Sequence, residues 1–357
     1  METIEYRLAT RDDNEGILRL MHSIVMPGDI ELVYMKRPDF FKAIGIQGDN
    51  FQVLVACRGD GEIVATGVRA LRRAYVNGEA RTIGYLGELR VGPAGRGLRV
   101  LLNGYAAMKE LMTDGRSFLH ITTIVEGNRN AKAALTWRNK YSSIPSYVDM
   151  GLLNTYFIFP VFPKRRSRRF TVQRGSLESL DAIVEFIDSR ARLRQFHPVY
   201  TRDFFLNLPG FRIEDFTILL DDGRIAGVAA LWDQTGFKQI LVKKYNGRMR
   251  LLKMLFGGFL PAEGEVISNA CLSFVAIEGD RADVLEALLT HVHEDVRRTA
   301  CRYFMFCLHE RDPLNSAVRR FPRLAYKSRL YVADYGDEGV IRSKIDGRIP
   351  YVEVATL

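Results

Sequence analysis

Continuous and alternating apolar runs predict strands over 4–9, 51–57, 63–74, 85–91 and 118–125. Between them, apolar residues three and four apart predict helices. Ile17, Leu18, Met21 and Ile24 follow a Thr10 cap. Leu98, Leu101, Leu102, Tyr105 and Met108 line one helical face, with Gly115 as its C-terminal cap. Shorter helices are predicted over 39–46 and 130–140, and Arg58-Gly59-Asp60-Gly61 reads as a hairpin turn. This first stretch closes on an extended pair around Tyr147 and Tyr156.

The pattern then starts again. A strand over 170–173 precedes a helix opened by Ser176 and carrying Leu180, Ile183, Val184 and Ile187. Asp222-Gly223-Arg224-Ile225-Ala226-Gly227 echoes Asp60-Gly61-Glu62-Ile63-Val64-Ala65. The run 303–309, followed by Glu310-Arg311-Asp312-Pro313, echoes 118–125 followed by Glu126-Gly127-Asn128. Such self-similarity predicts a tandem repeat.

The chain's 357 residues suffice for two domains, and 47% hydrophobic with 26% charged residues is a globular composition. No apolar run has the ~20 residues that a membrane span needs. Met1-Glu2-Thr3-Ile4-Glu5 is no secretory signal, so a cytoplasmic protein without a membrane partner is expected. Cys57, Cys271, Cys301 and Cys307 lack metal-type spacing and read as reduced core thiols. His291 and His293, two apart on a predicted helix, point to different faces, so no metal is expected. The net charge is +9, and five positive charges sit together in Lys164-Arg165-Arg166-Ser167-Arg168-Arg169. That run reads either as a solvated connector or as a clamp for an acidic partner.

The most specific stretch is Val91-Gly92-Pro93-Ala94-Gly95-Arg96-Gly97-Leu98-Arg99-Val100-Leu101. A strand, a glycine loop and a helix start bearing arginines make a seat for pyrophosphate, because the first-turn N–H groups have no helical partner. The stretch resembles motif A of the GNAT N-acetyltransferase superfamily, with Val91, Pro93, Arg96 and Gly97 on the pattern and Arg99 and Leu101 where two later glycines stand. The element order of residues 1 to about 160 is similar to the whole GNAT fold. The resemblance implies an α/β (α+β) architecture of two GNAT-like domains, each a twisted mixed, mainly antiparallel sheet flanked by helices. The expected division is 1–161, a basic linker 162–169, a second domain 170–340 and a tail 341–357. Glu278, Asp280 and Asp283 crowd the second phosphate seat and would repel an anion, so that copy is expected to be degenerate.

The resemblance further implies acetyl-CoA or another acyl-CoA, held by Leu89, Val91, Arg96, Gly97, Leu98, Arg99, Val100, Leu101 and Asn130. A strand N–H at about Leu89 to Val91 would receive the thioester oxygen. Glu88 is the first candidate base, since burial would raise its pKa toward a useful range, and pairing with Arg90 is the other reading. Glu126 is the second candidate base, while His120 reads as a core histidine. The family's leaving-group tyrosine position holds Trp137, and Tyr141, one turn later, is the substitute. The expected function is acyl transfer, acetyl for preference, to a primary amine of a small molecule, with the N-terminal copy active. A non-catalytic acyl-CoA-binding module and an aminoacyl-tRNA-dependent transferase stand as alternatives. The last would make nucleic acid a partner, which the connector's lack of interleaved aromatics disfavours.

Overall fold

The computed structural model describes residues 3–357 except 27–29, 96, 129–130, 134–140, 256–259, 268 and 300. Its first half holds seven strands: β1 (Ile4–Leu8), β2 (Ile30–Met35), β3 (Asn50–Arg58), β4 (Ile63–Val76), β5 (Glu79–Val91), β6 (His120–Val125) and β7 (Ser146–Ile158). The second half adds β8 (Thr171–Arg174), β9 (Arg194–Gln195), β10 (Phe216–Asp221), β11 (Arg224–Trp232) and β12 (Gln239–Tyr245). It continues with β13 (Asn269–Ile277), β14 (Tyr303–His309), β15 (Arg323–Asp334) and β16 (Ile349–Pro350). The helices that matter below are α1 (Asn14–Ser23), α2 (Phe40–Ile44), α3 (Leu98–Met112), α4 (Leu180–Ala191) and α5 (Ala282–Val296).

Among the described residues, twelve strands form one sheet in the order β1-β3-β4-β5-β6-β15-β7-β14-β13-β11-β10-β8. Read from either end, the order is the same: four antiparallel strands, then a parallel step, β5 to β6 or β13 to β14. At the centre the halves exchange their last strands. β15 inserts between β6 and β7, and β7 in turn pairs with β14. The expected extended pair at Tyr147 and Tyr156 is therefore one strand, β7, whose partner comes from the other half. Its turn-like signal is Gly151, at φ 103, beside a register shift against β15.

The hairpins follow their turn residues: Gly61 has φ 85, and Asp222 and Gly223 have φ 49 and 79, conformations that glycine and Asp tolerate. Apolar faces cover both sides of the sheet. α5 buries Leu285, Leu288, Leu289 and Val292 against Leu272, Phe304 and Phe306, each side chain contributing about 1.5–3 kcal/mol. α1 buries Ile17, Leu18 and Met21 against Val53, Val55 and Val68. A central cluster draws on both halves: Ile83, Tyr85 and Ile121 with Leu330, Val332 and Val352. The sequence pattern missed the two-stranded ribbon of β2 and β12, one strand from each half.

Candidate functional site

β5 and β6 pair only through Gly84–Leu86 and 120–122 and then part, leaving a wedge in the sheet. On the β5 side of the wedge the register against β4 slips, so that Glu88 and Leu89 face Gly67 alone, and Glu88 adopts φ 52. This β-bulge takes one peptide out of the ladder and re-aims its N–H. The second half repeats the device. β13 and β14 pair over three residues, Phe274 and Val275 face Ala229, and Phe274 has φ 59.

Beyond the first bulge the chain turns through a 3-10 turn, Pro93–Gly95, into α3. A Cβ on Gly92 would meet Leu20 Cδ1 at 2.7 Å, and one on Gly95 would meet the Val64 carbonyl at 2.7 Å, so both glycines let the loop lie on the sheet. Gly97, the N-cap of α3, has φ 154 and no heavy atom within 4 Å of a built Cβ. Among the described residues other than its chain neighbours, none crowds that position. Tyr6 Oη donates to the Val100 carbonyl at 3.1 Å and ties α3 to β1. Val91 and Val100 pack together with Val64 and Ala65. Leu89 and Leu98 stand 55% and 44% exposed. Arg99 is exposed in the first turn and Leu101 half-buried. Arg96, Asn130 and Trp137 lie outside the described residues.

Glu88 is buried, with Lys36 Nζ at 3.1 Å and Arg90 Nη2 at 3.5 Å. Burial alone would raise its pKa, but the two cations outweigh that and hold it at about 2. The expectation of a raised pKa is therefore reversed, because Lys36 approaches from outside the local sequence. At pKa 2 the carboxylate is a weak proton acceptor. Glu126 belongs to another ion-pair group, with Lys132 Nζ at 2.7 Å and Arg329 Nε at 3.3 Å, which lower its pKa. It clips β6 to β15. Tyr141 is half-buried, and its carbonyl accepts from Ile144 N–H at 3.1 Å.

Two cations that act on Glu88, Lys36 and Lys238, and the buried Arg72 carry no local sequence signal. Lys36 follows β2, and Lys238 precedes β12 and interacts electrostatically with Lys36 and Glu88. Burial, then the positive charge of Lys36, pushes the Lys238 ammonium down to about 7. Its Nζ donates to the Ala355 and Leu357 carbonyls at 3.0 and 2.6 Å. Arg72, on β4, is 6% exposed and lies 5.9 Å from the Tyr85 ring centroid. Its Nη1 donates to Thr356 Oγ1 at 3.0 Å, whereas Nε and Nη2 have no hydrogen-bond partner among the described residues.

His120 accepts from Arg69 Nε at 3.0 Å and is buried, which lowers its pKa to about 4, so it is a neutral core group. The crowded acids of the second half are not free charges. Asp280 pairs with Arg194, and Asp283 with Arg281 at 3.0 Å and Arg169 at 2.9 Å. The predicted repulsion is thus replaced by occupation, since arginines already fill that helix start. Carboxylates at both ends of α5 tie down the basic connector: Arg169 reaches Asp283 at 2.9 Å, Arg166 reaches Asp295 at 2.7 Å, and the Lys164 backbone N–H donates to Glu294 at 2.7 Å. His291 and His293 are buried in α5, and no group of three or more His, Cys, Asp and Glu among the described residues could hold a metal.

As a sequence, the chain matches no protein-family model and no curated protein. Solved structures do match. The glucosamine N-acetyltransferase region of a fungal multi-domain GH3 β-N-acetylglucosaminidase superposes with TM-score 0.64 at 13% identity, over 93% of this chain. The chain spans 38% of that protein. It has the GNAT fold. Saccharomyces cerevisiae N-myristoyltransferase with bound myristoyl-CoA matches with TM-score 0.62 at 11% identity, over 93% of this chain and 83% of that one. A GCN5-related N-acetyltransferase from Sphaerobacter thermophilus matches with TM-score 0.57 at 12% identity, over 99% and 98%. These GNAT-fold neighbours align with nearly all of this chain, across both halves of its sheet.

Proposed function

We propose that the protein transfers an acyl group from acyl-CoA, acetyl-CoA for preference, to the primary amine of a small acceptor, in the wedge between β5 and β6. The halves are read as two repeats, 1–161 and 170–340 around the 162–169 connector with a tail from 341, of which the first is active. One observation carries this: in the first half the bulge strand passes through the Pro93–Gly95 turn into α3, while the helix start of the second half is occupied by arginine–aspartate pairs. The neighbours' names, N-acetyltransferases and an N-myristoyltransferase with its acyl-CoA, agree with the same chemistry.

In this reading the pyrophosphate lies on the first turn of α3 with Arg96 and Arg99, and Asn130 contacts the pantetheine arm beside Leu89 and Leu98. The amine attacks the thioester carbon, so a C–N bond forms and the C–S bond breaks. The Glu88 N–H receives the carbonyl oxygen as it gains charge. The neutral Lys238 amine takes the amine's proton, and Tyr141 is the candidate donor to the departing thiolate. The Glu88 carboxylate holds Lys36 and Arg90 in place. Because Glu88 is such a weak base, a second reading is a module that binds acyl-CoA without turning it over. Thiol release from acetyl-CoA in the presence of a panel of primary amines separates the two: steady amine-dependent release supports transfer, and binding without release supports the module.

A further inference from the structure

The segment 351–357 runs through the second wedge. Its entry is fixed by the parallel pairing of β16 with β9 and by Tyr351 N–H donating to the Gln195 carbonyl at 2.8 Å. Glu353 follows, 2% exposed. Its carboxylate accepts from Phe274 N–H at 2.7 Å, Tyr351 Oη at 2.8 Å and Ala355 N–H at 3.2 Å. Phe274 is the bulge residue of the second half, as Glu88 is of the first. A carboxylate of the chain itself therefore sits on the N–H that corresponds to the proposed oxyanion donor. Charge-assisted hydrogen bonds of this kind are the strong ones.

From Glu353 onward the segment is held from both halves. The Ala355 carbonyl accepts from Gln234 Nε2 at 2.8 Å and from Lys238, the Leu357 carbonyl accepts from Lys238, and Thr356 Oγ1 accepts from Arg72. Gln234 on the second half and Arg72 on β4 occupy corresponding register positions, six residues beyond Val228 and Thr66 respectively. The groups of the first half and of the β12 approach that the segment fastens are Arg72 and Lys238.

We infer that Glu353 is a positioning residue: the second half has exchanged its acyl ligand for the chain's own segment, and its bulge N–H, through Glu353, holds 353–357 where they orient Lys238 and Arg72 at the first wedge. The inference rests on the acyl-transfer reading for its kinetic consequence, though not for the anchoring itself. The groups facing Lys238 are Lys36, Glu88, Cys271 and Glu353.

The test compares the full chain with Glu353→Gln and Glu353→Ala. Amide exchange is followed over 351–357 and at Phe274, together with acetyl-CoA affinity, kcat and KM with an accepted amine, and the pH profile of kcat. Loss of a charge-assisted anchor predicts at least about tenfold faster exchange in the segment for the alanine variant, and an intermediate effect for glutamine. Acetyl-CoA affinity is expected to stay within about twofold while kcat falls about tenfold or more, because only positioning is lost. The acid limb of kcat should move to higher pH as Lys238 loses its desolvated seat, a change that general destabilisation does not produce. Unchanged exchange in Glu353→Ala overturns the anchoring. Faster exchange with unchanged kcat and pH profile overturns the positioning role. If the parent protein turns over no acyl-CoA, the acyl-transfer reading fails alone, and the exchange data still decide whether Glu353 anchors the segment.

Discussion

Gly97 and Gly279 allow the two halves to be set against each other with one substitution. Each lies in the turn before a helix start, α3 or α5; their φ values are 154 and 58, and a Cβ at either meets nothing within 4 Å. Glutamate at position 97 adds a carboxylate beside the first turn of α3, where the pyrophosphate is proposed to lie. Two unit charges about 6 Å apart at an effective dielectric of about 20 repel by about 3 kcal/mol. The new carboxylate also takes up the ~0.3–1 kcal/mol that a helix start offers an anion. Together these weaken acetyl-CoA binding by about 3–4 kcal/mol, a few-hundredfold rise in Kd. Non-glycine residues at these φ values carry strain of about 1–3 kcal/mol, so Gly97→Ala is the control that adds the strain without the charge. Calorimetric titration of acetyl-CoA into the full chain reads all three variants. Gly97→Glu should abolish detectable binding, whereas Gly97→Ala and Gly279→Glu should leave Kd within about threefold. Tight binding by Gly97→Glu, or loss of binding in Gly279→Glu alone, would refute the assignment of the cofactor to the first wedge.

Further outcomes follow from the buried charges and contacts. With Lys238 titrating at about 7, kcat should rise with pH through that region as the ammonium becomes an amine, and Lys238→Met should lower kcat and remove the limb in a pH–rate profile. Glu88→Gln leaves Lys36 and Arg90 buried without their carboxylate and should cost about 3–5 kcal/mol in denaturant unfolding. Because the folded-state pKa of Glu88 is depressed, to about 2, its contribution is fully present above the ordinary carboxylate range. It is lost as pH falls from that range through 2, and the parent's acid-unfolding curve should flatten there in the variant. Gly84→Ala places a Cβ 2.1 Å from His120 Cδ2, whose ring is fixed by Arg69, and should lower Tm by an overpacking cost of about 1–3 kcal/mol or more.

Local pattern carried much of the architecture and little of the site. The hairpin at Asp60-Gly61 and the β5-loop-α3 passage are short-range features that stand where the sequence predicts, whereas the predicted α3 face is at most half-buried, with Leu98 exposed and Val100 and Met112 buried instead. The exchange of β7 with β15 and the β2–β12 ribbon are pairings between residues far apart in the chain, which leave no periodic trace in either strand. The chemistry follows the same division. Glu88 was visible because it sits on the motif strand, but its ionisation is decided by Lys36, some fifty residues away. Lys238 and Arg72 owe their interest to partners at the far end of the sequence, backbone oxygens for Lys238 and the Thr356 hydroxyl for Arg72, which no local window contains.

In the proposed reading, the duplicated sheet gives the second half a role without a ligand of its own. Continuous hydrogen bonding across β6, β15, β7 and β14 makes the wedges parts of one body, and the segment 351–357 bridges them. A bulge that once left a free N–H would be a buried unsatisfied donor if its ligand simply vanished, at a cost of about 1–3 kcal/mol. Glu353 removes that cost and converts the donor into an anchor. In the proposed reading the asymmetry between the halves is a division of labour: the Glu88 bulge receives the thioester oxygen, and its twin, whose Phe274 N–H is taken by Glu353, holds the segment that orders the first wedge's cations.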